Sequence, residues 1–172
     1  MSSAAAPVLL IGGWTLAAAV QRGGFDQVTG TISALAARDA DHREVMTAAL
    51  AAVGVCHLTT AAALRSAGRP ARVLYGVGGA ATVLVAAFPL PAGDGNSAAH
   101  TAAATVAFGA LAAWPAIVRR PADRVAAAAL LALVAWFAAE LATDGAHVGL
   151  AERAAAGTQA LWPLLAALRP RT

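Results

Sequence analysis

Apolar and charged residues are segregated along this chain into long blocks. Six stretches carry almost no charge: Ala4 to Val20, Val45 to Leu64, Val73 to Leu90, Ala98 to Val118, Val125 to Thr143 and Leu150 to Leu168. Each is close to the roughly 17–25 residues that an α-helix needs to cross a bilayer. None shows the strict alternation of a transmembrane strand. The pattern predicts an all-α integral membrane bundle of six transmembrane helices, a single domain over 1–172, with short loops and one longer outer loop. The first stretch reads as a membrane helix and not as a signal peptide, because no basic residue precedes Gln21.

Arginine placement sets the expected orientation. Arg65, Arg69 and Arg72 fall in one loop, Arg119, Arg120 and Arg124 in another, and Arg169 and Arg171 in the tail. All map to one side, which the positive-inside rule makes the cytoplasm. Arg22, Arg38, Arg43 and Arg153 map to the other. An even number of spans then puts both termini in the cytoplasm, in a multi-pass protein of the cell membrane. Every acid except Asp123 lies in the outer half, as do His42, His100 and His147. Polar chemistry is therefore expected at the outer end.

Composition agrees. Hydrophobic residues make up 59% of the chain, charged residues only 12%, and mean hydropathy is +0.67. A soluble domain carries about 25% charged residues. Aromatics are few and alanine dominates, which favours helices and close helix contacts in lipid. The basic residues are all arginine, and genomic base composition explains this as well as the alanine. A pI near 10.4 does not indicate nucleic-acid binding, since the arginines form short clusters between apolar blocks. The single cysteine, Cys56, excludes an intrachain disulfide and reads as a packed thiol.

The connection from Gln21 to Arg43 is long for a compact domain, and long loops are often functional. One reading has Thr31 capping a short helix through Ile32, Leu35 and Ala36, its apolar face on the membrane surface, as a lid over the outer end. The other makes the segment an extension of the second helix.

Four stretches together resemble a known family. They are Gly24-Phe25-Asp26 leading to Thr31-Ile32-Ser33-Ala34-Leu35, then Phe88-Pro89 with Gly95, then His100, and Gly149-Leu150-Ala151-Glu152-Arg153. In this order they are similar to the bacterial six-helix membrane family catalogued as domain of unknown function 998. The resemblance spans nearly the whole chain and implies a six-helix membrane fold, without an activity. Ala36 stands where the family often has glycine.

Candidate chemistry clusters at the outer end. Glu140, Asp144 and His147 are spaced i, i+4, i+7 and share a face if the fifth helix continues that far. Alternatively Gly145 ends that helix. With His100 or His42 they resemble a metal-ligand set, but no metal motif is present, so no metal or other cofactor is assigned. Glu140 lies about one turn inside the fifth stretch, and Arg153 at similar depth on the sixth, so an ion pair is expected. Glu140, Asp26 and His100 are the candidate acids and bases. Arg22, Ser33, Asp144, His147, Glu152 and Arg153 are the candidate ligand contacts. His57, mid-helix beside Cys56, Thr59 and Thr60, reads as an internal hydrogen-bonding residue or a proton relay. Gly76, Gly78 and Gly79 read as close-packing contacts.

The leading functional reading is a pocket at the outer leaflet for a membrane lipid or lipophilic small molecule. Next comes a membrane enzyme using acid–base catalysis for hydrolysis, isomerisation or cyclisation. A transporter or transporter subunit is third, because no internal repeat is evident. A homo-oligomer would ease the objection that six helices are few for transport.

Overall fold

The computed structural model describes residues 2–93, 95–118 and 120–168. Asp94, Arg119, Arg169 and Arg171, used above to count charges, lie outside the described residues. Within them are six long helices and no strand. These are α1 (Ser2–Ala19), α2 (Arg43–Ala63), α3 (Arg69–Ala87), α4 (Ala98–Ile117), α5 (Pro121–Ala142) and α6 (Val148–Leu168). The starts of α3 and α5 fall four residues earlier than the apolar blocks indicate. Pro70 and Pro121 explain this: each sits in a first turn, where a missing N–H costs nothing.

The first five helices are long and apolar enough to cross a membrane. α6 is long enough, but carries Glu152, Arg153 and Gln159. The bundle's surface shows why it belongs in lipid. Val8 and Val125 are each 70% exposed, and Leu16, Leu141 and Leu165 also point outward. Its interior is packed by alanine: Ala17, Ala71, Ala112, Ala151 and Ala155 have no exposed surface. Small side chains let the helix backbones approach closely. At Gly54 and Gly79 the approach of α2 to α3 is close enough that a Cβ on Gly54 would lie 2.8 Å from the Gly79 carbonyl oxygen. Gly78 packs equally tightly on Leu111, whereas a Cβ on Gly76 would make only an ordinary contact, to Ala61.

Each helix packs on the next, and α6 returns to pack on α1, closing a ring. The long connection between α1 and α2 lies over one end of this ring. It contains a short 3-10 turn, Ala34–Ala36, and Thr31 Oγ1 accepts the Ala34 N–H at 3.0 Å. The segment is therefore not an extension of α2. Nor does its apolar face turn outward. Ile32, Leu35 and Ala36 are buried against Leu10, Met46 and Leu50, because turning them inward plugs the ring end.

Candidate functional site

The plug is held by two adjacent residues of α6. The Glu152 carboxylate accepts the backbone N–H of Ile32 and, at 3.2 Å, the Ser33 hydroxyl. The Arg153 guanidinium donates through Nη1 to the carbonyls of Gln27 (2.8 Å), Gly30 (2.7 Å) and Gly149 (3.0 Å). Both side chains are buried, Glu152 at 3% exposure and Arg153 at 9%. The remaining face of the guanidinium stands 5.9 Å from the ring centres of both Trp14 and Phe25, within cation–π range. Two adjacent polar side chains of α6 thus grip the loop mainly by its backbone.

The α6 start completes the latch. The Leu150 N–H donates to the Val28 carbonyl. A Cβ on Gly149 would come within 2.2 Å of the Gly30 carbonyl oxygen, so only glycine lets the loop approach. Two further stretches meet elsewhere at the same end, where His100 Nδ1 bonds the Phe88 carbonyl at 2.8 Å.

Beneath the plug is a cavity of about 60 Å³. Its walls are mainly apolar, from α1, α2, α3, α4 and α6; α5 contributes nothing to it. Polar side chains line it at separate points: Ser33 and Glu152 from the plug and α6, Gln159 further along α6, Thr82 from α3 and His57 from α2. Gln159 is anchored by donating to the Phe108 carbonyl at 3.0 Å. Sequence reading passed over Gln159 and Thr82. The signal for Gln159 was available, because Glu152, Ala156 and Gln159 are spaced i, i+4, i+7 and all three line the cavity.

The expected catalytic candidates are not brought together there. Glu140 Oε1 accepts the Trp136 indole N–H at 3.1 Å and Oε2 accepts the His147 backbone N–H at 2.9 Å. It therefore braces the α5–α6 turn, and the expected Glu140–Arg153 ion pair is absent among the described residues. Each partner is already engaged by nearer backbone groups. α5 stops at Ala142, and Asp144 takes a left-handed conformation (φ 49°). Glu140, Asp144 and His147 therefore do not share a helix face, and Asp144 and His147 are exposed. Asp26 accepts the Val28 N–H (2.8 Å) and the Thr29 hydroxyl (3.1 Å), which hold its carboxyl below the usual carboxylate range. Arg22 pairs with Asp41 at the exposed edge of the plug.

A ring of apolar helices with charged residues turned inward defines a multi-pass helical membrane protein. The family described as "Protein of unknown function (DUF998)" matches residues 3–169, and the chain belongs to it. No curated protein and no solved structure matches.

Proposed function

We propose that the chain binds the polar end of a lipophilic molecule in the cavity beneath the plug. The observation that carries this reading is the cavity itself: apolar walls, with the Glu152 carboxylate and Ser33 hydroxyl at its roof. Binding sites for such molecules combine apolar walls with a few placed polar groups. At about 60 Å³ the cavity has room for a head group or a short segment. The rest of the molecule would lie along the bundle in the leaflet. Ala104, Phe108 and Ala156 line the cavity and are only half-buried, so the wall between α4 and α6 is the natural entry. Glu140, Asp26 and His100 do not line it, which favours binding over catalysis by that set.

The test is photolabelling with a long-chain alcohol bearing a diazirine, using purified protein in lipid nanodiscs. Labels should concentrate on α4 around Phe108 and on α6 around Ala156. Ala156→Leu, which narrows the cavity, should remove them. Labelling spread evenly over the outward faces, α5 included, and unchanged in Ala156→Leu would overturn the proposal.

A further inference from the structure

A chain of polar side chains continues from the cavity towards the opposite end of the bundle. His57 Nδ1 lies 2.7 Å from the Tyr75 hydroxyl, and both residues are buried. Thr60 is the next polar side chain along from that hydroxyl. Thr60 Oγ1 lies 2.9 Å from Ser2 Oγ, at the start of α1. Thr60 is buried, whereas Ser2 is partly exposed. At the other end Ser33, also partly exposed, reaches Glu152 at 3.2 Å. Between the two polar arms lies the cavity, lined by both Glu152 and His57, with Thr82 and Gln159 on its walls. Its volume exceeds the roughly 10–15 Å³ that one water needs, so it has room for water between its polar groups.

Buried polar and ionisable groups are costly inside a membrane segment and mark ion or proton pathways by default. Here they form a series with a partly exposed hydroxyl at each end. We propose that Ser33, Glu152, the cavity, His57, Tyr75, Thr60 and Ser2 form a proton path through the bundle.

Each step exchanges one proton and moves no electrons. A proton arriving past Ser33 forms an O–H bond on the Glu152 carboxylate. The carboxyl releases it to water in the cavity, and that water protonates His57. Tyr75 occupies Nδ1, which leaves Nε2 for the cavity side. The imidazolium then gives up its Nδ1 proton to the Tyr75 oxygen as Tyr75 passes its own to Thr60, Thr60 passes its own to Ser2, and Ser2 releases its own to water at its exposed side. Rotation of the hydroxyls and return of His57 to its first tautomer reset the line. The other titratable groups beside it are Arg153, whose charge acts on Glu152, and Cys56, next to Tyr75.

The proposal does not depend on a lipophilic ligand, and its test adds none. Full-length protein is reconstituted into phosphatidylcholine–phosphatidylglycerol vesicles containing a trapped pH dye. Valinomycin and potassium clamp the voltage, and an external pH step is applied. The expected result is pH equilibration faster than in protein-free vesicles. Tyr75→Phe and Thr60→Val, which keep shape but remove one hydroxyl each, should return the rate to the protein-free level. Either variant is sufficient if the other fails to reconstitute as a monodisperse protein. Native protein no faster than protein-free vesicles would overturn the path, as would either folded variant conducting like the native protein.

Discussion

Glu152 on α6 accepts the backbone N–H of Ile32, a residue 120 positions earlier in the chain. The acceptor is a buried carboxylate and the donor a main-chain amide, so the contact fixes the plug irrespective of the side chain at position 32. Glu152→Gln would leave shape intact but place an amide among groups that donate. A buried donor or acceptor left unsatisfied costs about 1–3 kcal/mol. The variant should melt at lower temperature in detergent, and amide exchange should quicken at residues 27–37 more than in the helices. An unchanged melt and exchange pattern would show that Glu152 does not hold the plug.

Two glycine substitutions separate close packing from helix propensity. Gly149→Ala drives a Cβ into the Gly30 carbonyl, and overpacking of this kind costs about 1–3 kcal/mol. Gly12→Ala, on α1, meets nothing within 4 Å and should gain the helix propensity difference of up to about 1 kcal/mol. Thermal melts of the two variants should move in opposite directions. Equal shifts would mean that the plug does not press on Gly149.

Much of this arrangement was legible in the sequence, for specific reasons. The helices were, because charge and apolarity alternate in blocks the length of a bilayer. The starts of α3 and α5 were misplaced because Arg69 and Asp123 look like loop residues, yet a first helical turn accepts both charge and proline. Thr31 as a cap was readable from its position before an apolar turn, and it does accept the Ala34 N–H. Where that turn packs was not readable, since it depends on Met46 and Leu50 of another helix. Glu140 was assigned to Arg153 by matched depth on neighbouring helices. The left-handed turn at Asp144 instead carries the His147 N–H back onto Glu140, and no spacing rule anticipates that. The motifs behind the family resemblance were more informative together than singly, because Ile32 and Ser33 of one stretch bond Glu152 of another, and Phe25 lies near Arg153.

Replacing Arg153 by lysine should not be conservative. Its Nη1 serves three carbonyls while its plane lies near both Trp14 and Phe25. An ammonium is a compact point donor without the planar fork, so it loses the stacking and part of the carbonyl set. Hydrogen bonds to charged groups are worth about 1.5–3 kcal/mol each, so a loss of at least about 2 kcal/mol is expected. Chemical denaturation in mixed micelles would read it. A Glu140→Gln change on the same background should add its own effect without coupling, because the two side chains serve different backbone groups. A clear interaction in that double-mutant cycle would restore the ion pair rejected above.

Acid should act on the plug through Asp26. The Val28 N–H and the Thr29 hydroxyl stabilise its ionised form, so its folded pKa lies below the ordinary value of 3.8. A carboxyl depressed in this way contributes stability that is fully present above the unfolded pKa and is lost as pH falls through the folded one. The 26–30 turn should therefore stay ordered from neutral pH down to about 4 and loosen only below that. Asp26→Asn should loosen it at neutral pH as well. Amide exchange of Val28 and Gly30, corrected for intrinsic pH dependence, would follow this. Loosening of the native turn between pH 5 and 7 would point to a different group.

The orientation of the bundle remains a proposal that rests on arginine placement, and it can be tested directly. The turn Arg65–Ala67 joins α2 to α3 at the end of the ring opposite the plug. Its arginines do more than add charge. Arg72 donates from Nε to the Ala61 carbonyl (2.7 Å) and from Nη2 to the Ala62 carbonyl (2.6 Å), closing the C-terminus of α2, where a cation also meets the negative end of the helix dipole. Arg65 and Arg69 have no such bond among those described and are free to follow the positive-inside rule. A reporter active only in the cytoplasm, inserted at Ala67 or fused after the C-terminus, should therefore be active, and one inserted at Asp39 in the plug should be silent. Activity at Asp39 with silence at Ala67 would invert the bundle and place the plug on the cytoplasmic side.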